Sequence, residues 1–560
     1  MEKKWVVHPT EAAAQGIAKE FNLHLVIAQL ILRRGLKSSS EIFHFLNPSL
    51  SLLDDPLKYP GMQKAVERIR AAIQRKEKIL VYGDYDVDGV TGSAILYPIL
   101  KKLGADADAF IPHRINEGYG LNQESLEKLL KKKYALVITV DNGITGNKQV
   151  KFLQEKNVDV IIVDHHLPKE EGLPPAYAIV SAAAGEGQGD PDLAACGLAF
   201  KLGWALTGDF KDVESYLDLV VIGTVCDMAP MRGENRILLK YGLPMLANTK
   251  RPGLKALMEV SKVSRNYLSY RDIAFGLGPR INASGRMGSP ENAFKLLTTE
   301  NAMEAQNLAQ ILDAGNRDRQ KVESAAFEEA LERVETSSLK DHERVLVLES
   351  PDWHEGVLGI VASRLVERYH RPSIVISLKN GVGKGSGRSV PHVSLFDFVV
   401  QCEELLLNFG GHAQACGLTI KEENVSLFRN RLNEVAVQKT RELSSSSELG
   451  IDGEIPFSEL DLKFMQDLDK LAPFGPGNKK PLFLSKGVKT KSHPQKKGKD
   501  TLQCWITDQE GKTTCEVVGF RMYERWNASR HRSQFDIVYQ PALKHFQGIA
   551  SIQLELEDWQ

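Results

Sequence analysis

The chain has 560 residues, 42% of them apolar, which is too long for one ordinary core and predicts about three or four soluble domains. Its 71 basic and 72 acidic residues leave a formal charge of -1, so a nucleic-acid partner would have to meet positive charge concentrated in a channel. The six scattered cysteines form no CxxC pair, which argues against a zinc knuckle or disulfide scaffold and suits a reducing cytosol. The amino terminus has no apolar h-region, and no apolar run reaches about eighteen residues, so neither secretion nor membrane spanning is expected.

Residues 1–75 show helical apolar spacing at 12–21, 25–34 and 62–75, and they read as a flank packed on the core domain. Strand and helix signals alternate from 76 to 225, with continuous Val/Ile/Leu runs of the kind that fill buried parallel strands. The first run delivers Asp84, Asp86 and Asp88. Three carboxylates at alternate positions repel one another unless a cation or several donors sit among them, and hard oxygen ligands suit Mg²⁺ or Mn²⁺. Later runs deliver Asp141, then Asp164, His165 and His166, then Asp227, the last from a stretch that is either a strand or a buried helix. Any one such residue has the alternative of capping the next helix. As a set at the carboxyl ends of a parallel sheet, Asp86, Asp88, Asp141, His165 and Asp227 point to a metal centre.

Residues 276–288 read as a glycine-rich loop whose Arg280 and Arg286 either cradle a phosphate or make ordinary packing contacts. From 290 to 334 the spacing predicts one long connector helix, mildly interrupted at Gly315. A second α/β lobe follows at about 340–445. Its segment 384–389, holding Ser386 and Arg388, reads as a loop that is either a terminal-phosphate pocket or a solvated basic turn. The segment 409–418 reads as a glycine-rich helix end where His412 either donates to phosphate or packs locally. RELSSSSELG at 441–450 is a linker by composition. Five short strand signals between 481 and 555 then fit a small barrel such as the OB-fold. Lys489, Lys491, Lys496, Lys497 and Lys499 lie in a hairpin loop between the first two, either tracking a nucleic-acid backbone or solubilising the loop.

Several blocks resemble the DHH/DHHA1 superfamily of phosphoesterases, and within it the bacterial RecJ family. They are VYGDYDVDGVTG at 81–92, IPHRINEGYG at 111–120, VDNGI at 140–144, VDHH at 163–166, VIGTVCDMAP at 221–230, GPRINASGRMG at 278–288, DWHEGVLGIVASRL at 352–365, GSGR at 385–388 and GGHAQACG at 410–417. The resemblance implies an α/β protein with a helical flank at 1–75, a parallel-sheet DHH catalytic lobe at 76–289, a connector helix at 290–338, a DHHA1 substrate-binding lobe at 339–446 and an OB-like β-barrel at 447–560. It implies a 5′ to 3′ exonuclease of single-stranded DNA that releases 5′-mononucleotides in repair and recombination. It implies two Mn²⁺ or Mg²⁺ ions held by Asp86, Asp88, Asp141, His165 and Asp227, with Asp141 bridging.

In the same resemblance Asp84 acts directly or from behind the ligands, Asp164 orients the histidine chemistry, and His166 faces the scissile phosphate or leaving oxygen. Ser386 and Arg388 recognise the 5′-phosphate, while Arg114, Arg280, Arg286 and His412 line the cleft. The implied setting is a cytoplasmic, nucleoid-associated monomer working with single-strand-binding protein and a repair helicase. Two rivals are a small-substrate phosphodiesterase, which needs no barrel, and a non-catalytic single-strand-binding replication factor, which needs no intact ligand set.

Overall fold

The structure, a computed structural model, describes residues 4–9, 11–114, 117–168, 172–184, 188–336, 343–439, 448–528, 533–546 and 549–560. The chain enters on a short strand, β1 (Lys4–Val7), followed by helices Ala13–Phe21, Leu25–Arg33 and Ser39–Leu46. The third starts at a reciprocal cap, in which Ser38 Oγ accepts from the Glu41 amide and the Glu41 carboxylate accepts from the Ser38 amide.

Five strands then build the first sheet: β2 (Lys78–Tyr82), β3 (Asp106–Phe110), β4 (Leu136–Val140), β5 (Asp159–Val163) and β6 (Ala178–Val180). They pair in the order β3-β2-β4-β5-β6, all parallel, so their carboxyl ends share one edge. The residues of β4 are buried throughout, as expected of a strand covered on both faces. Leu217–Cys226, left open between strand and helix by its apolar run, is a helix buried almost all round. Gly223 lets it approach closely: a Cβ there would lie 2.4 Å from Thr91 Oγ1 and 2.9 Å from Asp88 Oδ1, both on helix Val87–Lys102.

Residues 276–288 depart from the loop that their glycines predict. They form not a loop but helix Gly278–Met287, entered through a π-helical turn at Asp272–Leu277. Pro279 in the first turn is a helix-start signal that the surrounding glycines masked. The connector is likewise two helices, Pro290–Thr298 and Ala302–Thr336, and Gly315 does not interrupt the second. The break falls where Asn301 Oδ1 accepts from the amides of Met303 and Glu304.

The second sheet contains β7 (Leu346–Ser350), β8 (Ser373–Lys379), β9 (Val382–Arg388), β10 (Leu406–His412) and β11 (Ala415–Lys421), in the order β10-β11-β9-β8-β7, with only β7 and β8 parallel. Here an expected loop and an expected helix end are both strands. Residues 384–388 lie within β9, whose glycines leave room for neighbours: Cβ atoms at Gly385 and Gly387 would meet Leu418 Cδ1 at 2.8 Å and Cys416 Sγ at 2.6 Å. Residues 409–418 are a β10–β11 hairpin and not a helix end, with Gly410 opposite Gly417.

The carboxy-terminal strands are β12 (Glu448–Ile451), β13 (Gly453–Glu454), β14 (Phe483–Thr490), β15 (Gln495–Lys497), β16 (Thr501–Thr507), β17 (Thr514–Gly519), β18 (Phe535–Phe546) and β19 (Ile549–Trp559). β12 pairs with β1, and the others form one sheet in the order β13-β14-β18-β19-β17-β16-β15, with a further short pairing of β14 to β16. The basic hairpin is partly structured: Lys496 pairs with Glu524, and the Lys489 ammonium donates to the Gln509 carbonyl. Most of the expected linker, residues 441–447, lies outside the described residues.

Two compact units result. One comprises residues 1–53, 228–241 and 445–560, and the other 54–227 and 242–444. The segment read as a flank at 1–75 is thus divided between them. Ile27, Leu30 and Ile31 share a core with Phe464, Phe483 and Tyr539, because an amphipathic helix declares its apolar face but not the partner. Ile27→Ala is expected to destabilise this unit by about 2–5 kcal/mol in chemical denaturation, with amide-exchange protection lost in β14 and β18.

Candidate active site

The carboxyl edge of the first sheet and the starts of the helices behind it gather the acidic residues. Asp86 caps helix Val87–Lys102, its Oδ1 accepting from the amides of Asp88 (2.9 Å) and Gly89 (3.2 Å). Asp88, in that helix's first turn, accepts from the amides of Ala195 (2.7 Å) and Cys196 (2.9 Å) where helix Ala195–Thr207 begins. Asp141 follows β4 in a left-handed conformation, φ 66°. Asp227 caps the carboxyl end of helix Leu217–Cys226 and so arrives from a helix instead of a strand.

Three groups have ligand-type atoms within 4.8 Å of one another: Asp84, Asp86 and Asp141; Asp88, His165 and Asp227; and Asp141, His165 and His166. His165 Nε2 lies 3.4 Å from Asp141 Oδ1, 3.7 Å from Asp227 Oδ1 and 3.9 Å from Asp88 Oδ2. Asp84 Oδ1, Asp141 Oδ1 and His165 Nε2 are buried without hydrogen-bond partners, which is costly unless something else satisfies them. Burial, then the Asp86 carboxylate, pushes the Asp84 carboxyl well above its usual range; burial followed by Asp86 and Asp88 does the same to Asp141. Asp227 is pushed up to about 7 by burial and Asp88. Crowded, unsatisfied carboxylates with one imidazole are a donor set that a hard divalent cation fits.

His166 is held at Nδ1 by two neighbours. Its Nδ1 lies 2.8 Å from Asp164 Oδ1 and 3.3 Å from the Tyr119 hydroxyl, which also donates to the Asp141 carbonyl at 3.5 Å. Burial opposes charge on this imidazole, but the Asp164 carboxylate outweighs it and raises His166 to about 9. Asp164, fully buried, also accepts from the Ile144 amide and stays below the usual carboxylate range despite its burial. Tyr119 lies within IPHRINEGYG at 111–120, yet only its geometry shows its relation to His166.

A cluster of guanidinium groups lies in the same unit. Burial, then the guanidiniums of Arg114, Arg319 and Arg388, lowers Arg286 to about 9. Arg388 is lowered by burial and by Arg114. Arg114 rests over the Tyr85 ring at 5.1 Å, Arg286 donates to the Gly356 carbonyl at 3.1 Å, and Arg388 donates to Ser386 Oγ at 3.2 Å. Such a concentration of buried positive charge is what a phosphate would neutralise. Gly359, unremarked in the sequence, opens helix Leu358–Tyr369 toward it: a Cβ there would come within 2.8 Å of Arg388 NH2 and 3.1 Å of Ser386 Oγ. Arg280 is engaged elsewhere, with Asp313 and the Gly276 carbonyl, and His412 stands exposed at the end of β10, its Nδ1 accepting from the Gln414 amide.

Comparison with known proteins follows the same division of the chain. The DHH family N-terminal domain matches residues 78–224, the DHHA1 domain residues 342–438 and the RecJ OB domain residues 451–558. The single-stranded-DNA-specific exonuclease RecJ of Bacillus subtilis is 34% identical over 559 residues, covering 99% of this chain and 70% of its own length. That of Haemophilus influenzae is 31% identical and 96% of each chain is covered. The crystal structure of RecJ in complex with Mn²⁺ from Thermus thermophilus is similar over 100% of this chain and 79% of its own, with TM-score 0.85 and 29% identity. The complex of the same protein with Mg²⁺ gives 0.78 and 27% over 99% and 78% of the two chains. From its acidic cluster to its carboxy-terminal sheet, the chain belongs to the bacterial RecJ family of the DHH/DHHA1 superfamily.

Proposed function

We propose that this protein is a 5′ to 3′ exonuclease that hydrolyses single-stranded DNA to 5′-mononucleotides in repair and recombination, using Mn²⁺ or Mg²⁺. The observation that carries the chemistry is the pair of acidic groups, Asp84/Asp86/Asp141 and Asp88/His165/Asp227, which Asp141 links at 3.4 Å from His165. Asp84, Asp86 and Asp141 would hold one ion and Asp88, His165 and Asp227 a second, Asp141 being the residue that joins the two groups. The chemistry that divalent ions would supply at these residues is an activated water and neutralisation of the charge growing on the phosphoryl oxygens.

The remaining roles fall to the chain itself. Asp164 and Tyr119 fix the His166 ring from its Nδ1 side, leaving Nε2 to give a proton to the departing 3′-oxygen. Ser386, Arg388, Arg286 and Arg114 hold the terminal 5′-phosphate, while Gly359 gives it access to a helix amino terminus. Cleavage of the P–O3′ bond releases a mononucleotide and leaves a new 5′-phosphate on the shortened strand, so the same pocket is used at each step.

We extend the assignment to the domains: a DHH lobe at 76–289, a two-helix connector at 290–338, a DHHA1 lobe at 339–446 and an OB barrel at 447–560. The short β14–β16 pairing supports closure of that barrel. Family membership also supports a monomer in the cytoplasm and nucleoid, with single-strand-binding protein and a repair helicase as partners. No helix among the described residues is long and apolar enough to cross a membrane.

The test offers 5′-labelled single-stranded DNA, a hairpin duplex, single-stranded RNA and a cyclic dinucleotide in Mn²⁺ or Mg²⁺. Labelled mononucleotide from the single-stranded DNA as the first product is expected. Preference for the cyclic dinucleotide, or release from the 3′ end, would contradict the proposal.

A further inference from the structure

Helix Gly278–Met287 and helix Ala302–Thr336 face each other through two pairs of residues with the same offset in sequence. The first pair attracts. Arg280 Nε donates to Asp313 Oδ1 at 2.9 Å with both side chains largely buried, and Arg280 NH1 donates to the Gly276 carbonyl at 2.7 Å. The second pair repels: Arg319 is one of the charges that oppose the Arg286 guanidinium. Arg319 is compensated on its own helix, its Nε and NH2 donating to Asn316 Oδ1 and its NH1 meeting Glu323. Arg286 has no carboxylate partner among the described residues.

A cluster of guanidiniums kept together before any phosphate arrives must be held against its own repulsion. We infer that the Arg280–Asp313 pair is the clamp that holds helix Gly278–Met287 on the connector and keeps Arg286 beside Arg319 and Arg388 for the terminal phosphate. Arg280 is then a positioning residue and not a substrate contact. The inference rests on the exonuclease reading and on a 5′-phosphate in this pocket. Without the clamp the helices relax apart, and reassembling the pocket draws on substrate affinity instead of on chemistry.

Steady-state kinetics on single-stranded DNA with a 5′-phosphate or a 5′-hydroxyl test this. Arg280→Gln and Asp313→Asn should each raise KM for the phosphorylated strand about tenfold, leave kcat within about twofold, and reduce the preference for phosphate over hydroxyl. Asp313 also meets Arg317 of its own helix at 3.2 Å, but that guanidinium is exposed, so the buried contact with Arg280 is what both substitutions remove and the double variant should be no worse than either single one. Arg280→Lys, which keeps a cation within reach of Asp313, should hold KM within about threefold of wild type.

Loss in Arg280→Gln with wild-type behaviour in Asp313→Asn would make Arg280 a direct substrate contact and overturn the inference. Equal falls on both kinds of strand end, or additive effects in the double variant, would overturn it as well. A wild-type protein with no preference for the 5′-phosphate would instead remove the reading beneath it.

Discussion

Asp141→Asn is expected to lower mononucleotide release from single-stranded DNA by about three orders of magnitude or more, whichever of Mn²⁺ or Mg²⁺ is supplied. Asp141 belongs to two of the three ligand groups, so its loss damages both proposed ion positions at once. Asn is the informative replacement because it tolerates the left-handed backbone found there, whereas Ala would add strain. The metal-free variant should melt no lower than the metal-free parent. The substitution replaces a buried carboxyl crowded by Asp84, Asp86 and Asp88 with a neutral amide and costs no hydrogen bond of Oδ1. Thermal melting in chelator, alongside the activity assay, separates loss of metal chemistry from loss of fold.

Arg388→Ala is expected to raise KM for 5′-phosphorylated DNA by about ten- to a hundredfold, to leave kcat within a few-fold and to abolish the preference over a 5′-hydroxyl end. Arg388 ends β9, donates to Ser386 and faces the amino terminus of helix Leu358–Tyr369, so its removal takes charge from the phosphate without touching the acidic cluster. Gly359→Val should give the same signature by a different route, because even its Cβ would press on Arg388. A fall confined to kcat in either variant would place Arg388 in the chemistry instead.

The acidic cluster was legible because buried parallel strands announce themselves as apolar runs, and what ends each run is then visible. Asp86, Asp88, Asp141 and His165 came from that pattern. Asp227 also ends an apolar run although that run is a helix, since complete burial erases the periodicity that separates the two. Glycine was the main source of error. Around 278 and 385 it reads as loop and around 410 as a helix end, whereas near 278 it flanks a helix start, in β9 it makes room for core side chains, and at 410 it lies in the β10–β11 hairpin. These uses depend on neighbours distant in sequence. Arg280 shows the same limit: its type and setting suit a phosphate, and only the position of Asp313, on another helix, reveals its partner. Ile27 and its neighbours declared an apolar face but not the carboxy-terminal core that covers it.

A crystal of the protein grown with Mn²⁺ and a short 5′-phosphorylated strand bearing a non-hydrolysable linkage, with the ions located by anomalous scattering, tests the proposed centre most directly. Two peaks are expected, one among Asp84, Asp86 and Asp141 and one among Asp88, His165 and Asp227, with the terminal phosphate on Arg388 and Arg286. A single ion, ions away from Asp141, or a 3′ end in the arginine pocket would contradict the proposal.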